Sequence, residues 1–256
     1  MSERKLLDGK VAILTGASRS IGAASARAFA EAGASIVLAA RTASAIAAIA
    51  DEINQSGGRA LAVPTDVTDP ESVARLVEQA LATFGRLDAA FNNAGSGHVP
   101  TPLADISFED FDAGLKANLY GTFLGMKFEI PAMLAGGGGA IVNMSSTAGL
   151  QAAPGMGPYA AAKHGVVALT KTAALDYGPR NIRVNALAPG PIVNEQMSRL
   201  PEETLQGIAR YVPLRRLGSA DEVARAAVWL CSDEAAFITG AVLSIDGGRL
   251  AGGAGG

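Results

Sequence analysis

VAILTGASRSIG, from Val11 to Gly22, is the stretch on which the fold turns. An apolar run of strand length passes without a linker into TGASRSIG, and the segment that follows, IGAASARAFAEAG, is built of small residues at helical period. A strand that turns directly into a helix leaves the helix's unpaired N–H groups at the turn, where they point at an anion, and glycine lets the main chain approach that anion closely. The general GxGxxG fingerprint is absent, so on pattern alone a phosphate-binding turn and a plain strand-to-helix turn fit equally well.

Outward from this unit the same alternation repeats. Apolar runs of strand length recur at Ser35 to Ala40, Ala60 to Val63, Leu87 to Phe91, Ala140 to Met144, Arg183 to Ala188 and Ala241 to Ile245, which with the first makes about seven strands. Segments of helical period such as DPESVARLVEQALATFG and YAAAKHGVVALTKTAALDYG lie between them, several closed by a glycine. Continuously apolar strands imply cover on both faces, and strict alternation implies right-handed crossovers. The expected fold class is α/β: a doubly wound, Rossmann-type parallel sheet with helices on both faces and its ligand at the carboxyl edge. No Pro/Gly/Ser linker or internal repeat divides residues 1–256, so one domain is expected. The GGGG run at Gly136 to Gly139 should turn a long helix into the fifth strand, and the tail after Leu250 reads as frayed and without function.

Composition narrows the function class. In 256 residues, 21 basic and 24 acidic side chains give net −3 with no run of like charge, which argues against nucleic acid or an anionic membrane as partner. The one cysteine, Cys231 in AAVWLCSD, excludes an intrachain disulfide and reads as a small core residue. The opening MSERKLLDGK is charged and VAILTG is too brief for a signal peptide or a membrane span, from which a cytoplasmic protein is expected. His98 and His164 have no second imidazole or cysteine at ligand spacing, so no metal site is expected; His164 reads as structural and His98 as a residue at the pocket edge.

Thr15 to Gly22 resembles the TGxxxGxG loop of the short-chain dehydrogenase/reductase family, and the resemblance runs over nearly the whole chain. Further landmarks follow in family order: Asp66 with Val67, NNAG at Asn92 to Gly95, Asn118, Ser146 with Tyr159 and Lys163, and Pro189-Gly190. Two positions depart from the pattern, Ser20 in place of the middle glycine and Asn194 in place of a threonine. The resemblance implies a nicotinamide dinucleotide held by Gly16, Ser18, Arg19, Ser20, Ile21 and Gly22 at the phosphates. It implies Asp66 and Val67 at the adenine, Asn93, Ala94 and Gly95 along the ribose, and Pro189, Gly190, Ile192 and Asn194 at the nicotinamide. An acidic residue at the end of the second strand would accept from the ribose 2′-hydroxyl of NAD; here Ala40 stands there, followed by Arg41. Two guanidiniums, Arg19 and Arg41, suit a 2′-phosphate, and NADP(H) is the expected cofactor.

Tyr159 and Lys163 are four apart in a helical pattern and so share a face. With Ser146 at the end of the fifth strand and Asn118 in a preceding helix they resemble the family's Asn-Ser-Tyr-Lys tetrad. Reduction of a ketone yields an alkoxide that needs a proton, and a phenol of pKa about 10 serves near neutrality only if cations such as Lys163 lower that value. Tyr159 is therefore the expected acid/base and Lys163 its tuner, and Ser146 is expected to donate to the carbonyl oxygen. The resemblance implies further that Lys163 binds the nicotinamide ribose and that Asn118 holds a water linking Lys163 to solvent. The substrate is expected to be a small carbonyl compound or alcohol, apolar or weakly polar, held by residues 95–102, 150–158 and 191–212. Asp110 to Leu134 and Tyr159 to Tyr177 carry apolar residues on more than one face, and the resemblance implies that they form a dimer interface within a homotetramer, with the C-terminal strand region completing it. Two other readings compete: an NADP-binding sensor without turnover, and a different Rossmann enzyme such as an epimerase, for which the segment after the sixth strand is short.

Overall fold

A computed structural model describes residues 5–195 and 197–252. The first half of the chain runs β1 (Val11–Thr15), α1 (Ser20–Glu31), β2 (Ser35–Ala40), α2 (Ala43–Gln55), β3 (Arg59–Pro64), α3 (Pro70–Phe84) and β4 (Ala89–Asn92). It continues as α4 (Phe108–Leu115), α5 (Gly121–Ala135), β5 (Gly139–Met144), α6 (Gly157–Tyr177), β6 (Ile182–Pro189), α7 (Glu202–Ala209), α8 (Ala220–Cys231) and β7 (Val242–Ile245). The strands form one seven-stranded sheet in the order β3-β2-β1-β4-β5-β6-β7 with every pairing parallel. The chain winds outward from β1 and then returns to place β4 on its other side. The crevice at the carboxyl ends of β1 and β4 is therefore the topological switch point where such sheets bind ligands.

Strand alternation divides the core. Ala12 and Leu14 of β1 with Ile36 and Leu38 of β2 face Phe29 of α1, Ile46 of α2 and Val223 of α8. Ile13 and Val37 face the opposite layer, with Leu76 of α3, Met126 and Met133 of α5, and Ala173 of α6. Cys231 is buried in the first layer and burial pushes its thiol up to about 12, so it serves as a small apolar residue. No helix among the described residues is long and apolar enough to cross a membrane.

Two expectations change. The long helix expected from Asp110 to Leu134 is two helices joined by a π-helical turn, Lys116–Tyr120. The Asn118 side-chain amide donates to the Gly114 carbonyl at 3.1 Å, the group that its own backbone N–H would bond in an α-helix, and the ladder widens there. The fourth strand begins at Ala89 rather than Leu87, because the Asp88 carboxylate instead accepts from the Val11 N–H at 2.9 Å. The glycine run does turn α5 into β5, with Gly137 and Gly138 at φ +92° and +134°. Residues 253–256 of the tail lie outside the described residues.

Candidate active site

The turn after β1 is shaped by sterics. Gly16 has φ +67°, and a Cβ there would lie 2.8 Å from the Ala94 backbone. One on Gly22 would collide with the Gly16 carbonyl oxygen. Neither position admits a side chain. Ser20 takes the left-handed conformation at φ +47°, at a cost of about 1 kcal/mol for an L-residue, which is why glycine is the simpler choice at this position. The α1 N-terminus has no side-chain cap among the described residues and no acid in its first turn, so its amides are free to meet an anion. The Thr15 hydroxyl accepts from the backbone amides of Asn93 and Ala94 at 3.0 and 3.1 Å, and the Asn93 side chain donates back to the Thr15 carbonyl at 3.1 Å. These bonds lock the two lips of the switch point together. Thr15 is a positioning residue that its place in an apolar run concealed.

Over this turn lies a cleft of about 760 Å³, within the range of small-molecule and cofactor sites. Its walls include Gly16 and the residues from Ser18 to Gly22, as well as Arg41, Asp66, Val67 and the segment from Asn93 to Gly95. Sequence reasoning missed Lys116 and Thr42 on the same wall. Arg19 and Arg41 are both exposed. Asp66 is held below the usual carboxylate range first by bonds from the Thr68 amide and hydroxyl, at 2.9 and 2.8 Å, with the Arg41 charge adding to them. Free helix amides and two guanidiniums on the wall of a cleft of this volume fit a dinucleotide's phosphates. Ile192 and Asn194 do not line this cleft: Ile192 is buried in a bridge to Gly218, and the Asn194 carboxamide oxygen accepts from the Met197 amide at 2.9 Å.

Next to it Ser146, Tyr159, Lys163 and Asn118 come together. Ser146 ends the turn after β5, and its hydroxyl accepts from the Ala148 amide at 3.1 Å and hydrogen-bonds the Tyr159 phenol. Lys163 is buried, its ammonium 2.8 Å from the Met144 carbonyl and 5.5 Å from the Tyr159 ring centroid. Burial lowers Lys163 to about 8 and raises the Tyr159 phenol, with the Ser146 bond opposing that rise. At the tyrosine, burial thus outweighs the Ser146 bond. Asn118 clamps the loop after β4 through its carboxamide, accepting from the Ser96 amide at 3.2 Å and donating to the Ser96 carbonyl at 3.1 Å. A Cβ on Gly95 would sit 2.6 Å from the Asn118 oxygen and 3.5 Å from the Lys163 nitrogen, so the close approach of loop and cluster requires glycine.

Ser146 and Tyr159 also line a second cleft of about 530 Å³, whose wall holds Gln151, Pro154, Met156, Gly190, Tyr211 and Arg249. Of the three segments expected to hold substrate, 150–158 contributes Met156 and its neighbours to this wall, whereas residues 97–102 do not line it and neither do Met197, Leu200 and Leu205 of the third. The wall is completed by Gly248, Arg249 and Gly252, of which Gly252 belongs to the tail after Leu250 that read as frayed. His98 does not line either cleft, and its Nε2 is buried without a partner among the described residues. His164 Nδ1 lies 2.9 Å from the Ala160 carbonyl, a local structural contact.

Beneath β4 and β5 is a polar layer that the sequence did not reveal. The Asn92 amide donates to Glu129 at 3.0 Å and to Asn143 at 3.1 Å, and Asn143 donates to Thr170 at 3.0 Å. Glu129 is 1% exposed and burial raises its carboxyl to about 7, with the Asn92 bond opposing. The Asn92 carboxamide oxygen has no partner among the described residues, and a protonated Glu129 is a donor of the kind it lacks.

Residues 16–249 match a family model described as enoyl-(acyl carrier protein) reductase. The chain is 44% identical to the A-factor type gamma-butyrolactone 1'-reductase (1S-forming) of Streptomyces virginiae, over 97% of this chain and 98% of the relative. It is 40% identical to the cyclohexanol dehydrogenase of Acinetobacter sp. strain SE19, over 94% of each. Among solved structures, 7 alpha-hydroxysteroid dehydrogenase complexed with NADH and 7-oxo glycochenodeoxycholic acid superposes with a TM-score of 0.91 at 37% identity, covering 97% of both chains.

Proposed function

Because the chain belongs to the short-chain dehydrogenase/reductase family, we propose that it is an NADP(H)-dependent oxidoreductase that interconverts a ketone and a secondary alcohol on a single doubly wound domain. The observation that carries the reading is that Ser146 and Tyr159 line a substrate-sized cleft with the buried Lys163 ammonium 5.5 Å from the Tyr159 ring, in a chain that also holds a dinucleotide-sized cleft at the sheet's switch point. Arg19 and Arg41 on the first cleft, with Ala40 where a carboxylate would select NAD, support NADP; the related hydroxysteroid dehydrogenase binds NADH, so cofactor choice is a property of this chain's own residues.

When bound, the cofactor supplies a hydride to the carbonyl carbon or takes one from the alcohol. In reduction the Ser146 hydroxyl donates to the substrate oxygen and the Tyr159 hydroxyl gives it a proton. In oxidation the phenolate removes the proton from the alcohol. The buried Lys163 ammonium stands 5.5 Å from the Tyr159 ring centroid, where a cation favours phenolate, and the positive charge of a bound oxidised cofactor would favour it further. Asn118 keeps residues 95 and 96 against Lys163.

The test is oxidation of NADPH and of NADH with a panel of ring ketones that includes cyclohexanone, chosen because one relative is a cyclohexanol dehydrogenase and another binds a 7-oxo ligand. Turnover with kcat/KM at least tenfold higher for NADPH is expected. NADPH binding without turnover of any carbonyl would favour a sensor and contradict the proposal. We also infer a homotetramer: Phe108, Tyr120 and Phe123 of the α4–α5 face and Phe237 and Leu243 near β7 are exposed apolar side chains on two separate surfaces.

A further inference from the structure

We propose that Arg249 selects substrates that carry a carboxylate away from the reacting carbonyl, an inference that rests on the oxidoreductase reading and names the substrate class of the same cleft. Among the described residues that line the Ser146–Tyr159 cleft, Arg249 is the only charged one. Polar groups in the cleft divide by burial. Ser146 and Tyr159 are partly buried, whereas Arg249, Tyr211 and Gln151 are exposed at its outer edge. A substrate with its carbonyl at Ser146 and Tyr159 therefore extends toward a guanidinium.

The arginine stands on a fixed backbone. Asp246 folds the segment after β7 into a turn, accepting from the Gly248 and Leu250 amides at 2.9 Å each, and the Arg249 amide donates to the Asp246 carbonyl at 3.3 Å. Gly247 and Gly248 have φ +63° and +90°, and a Cβ on either would press on Val212 or Pro213, at 2.5 and 3.2 Å. A Cβ on Gly190 would lie 2.9 Å from Asp246, so the turn is also seated against the end of β6. The Asp246 carboxylate is occupied by backbone amides, and no ion pair forms between Arg249 and an acid among the described residues. A guanidinium held at a cleft mouth without a counter-charge presents a planar fork that a carboxylate meets bidentately. One such cation, with no second beside it in the cleft, matches a monoanion rather than a phosphate dianion.

The experiment compares methyl-ketone acids of the form CH₃CO(CH₂)nCO₂⁻, over a short series of lengths, with their methyl esters at saturating NADPH. In the wild type, at the length that spans the cleft, the acid should exceed its ester in kcat/KM by tenfold or more, chiefly through KM, and the preference should shrink as ionic strength rises. Arg249→Gln should bring the acid-to-ester ratio to about one, and Arg249→Lys should restore part of it. Equal use of acid and ester by the wild type at every length, or an unchanged ratio in Arg249→Gln, would overturn the inference while ester turnover leaves the oxidoreductase reading intact. Absence of turnover with every ketone, charged or neutral, would overturn that reading and this one together.

Discussion

Arg41 is the residue at which cofactor choice is most open to test. It stands where β2 delivers the chain to the cleft, and its charge already reaches Asp66 across that space. Replacing Arg41 with Asp removes one charge-assisted partner of the extra phosphate and supplies an acceptor for the NAD ribose. At roughly 1.5–3 kcal/mol per such bond, the NADP-to-NAD affinity ratio should fall about 10- to 100-fold in fluorescence titrations. Equal affinity of the wild type for both cofactors would contradict the two-arginine argument. Ser20→Ala keeps the Cβ and the left-handed φ and removes only the hydroxyl, so weaker NADP binding, by roughly tenfold, would identify that hydroxyl as a phosphate donor. Unchanged binding would leave Ser20 as a strained spacer. The residues carrying these predictions were legible in the sequence because glycines, arginines and the spacing of Tyr159 and Lys163 are local signals. Arg249 was not, because its role comes from the turn that Asp246 folds, and a glycine-rich run does not announce a hydrogen-bonded structure.

Among the elements, α5 carries a feature that its amino-acid pattern hides. Glu129 lies on a helix otherwise rich in apolar residues and is buried there, accepting a hydrogen bond from the Asn92 amide. Burial is decided by what packs on the helix, and the sheet end that covers Glu129 is assembled from β4 and β5, far apart in the chain. Its folded pKa of about 7 lies above the ordinary 4.5, so the native state holds a proton that the unfolded state has released. Stability should therefore fall as pH rises from about 4.5 to 7 and level off above, by up to roughly 3 kcal/mol from this group. Glu129→Gln keeps an acceptor for the Asn92 amide and removes the titration. Melting curves should then show a variant more stable than the wild type at pH 8 by several degrees and equal to it near pH 4. A parallel pH dependence in the two proteins would contradict the burial argument. The π-helical turn escaped notice for a related reason: apolar periodicity continues through it, and only the Asn118 side chain on the Gly114 carbonyl marks the break.

For the whole molecule, strand and helix alternation made the doubly wound sheet legible, and seven apolar runs correspond to its seven strands. The substrate wall was less so, since Tyr211 and Arg249 come from loops brought together only by the closing of β7 on β6. Assembly is testable directly: light scattering at micromolar concentration should give a tetramer, and Phe123→Asp or Phe237→Asp should each reduce it to a smaller species, whereas a wild-type monomer would contradict the inference. Proton transfer by Tyr159 is the step on which turnover of either direction depends. The most direct measurement is kcat/KM for alcohol oxidation against pH at saturating NADP⁺, for the wild type, Lys163→Ala and Tyr159→Phe. The wild-type profile should rise and reach its plateau well below about pH 10, Lys163→Ala should shift the inflection upward, and Tyr159→Phe should lose at least a hundredfold in rate together with the titrating limb. An inflection that persists unchanged in Tyr159→Phe, at substantial rate, would contradict the account and place the proton transfer on another group.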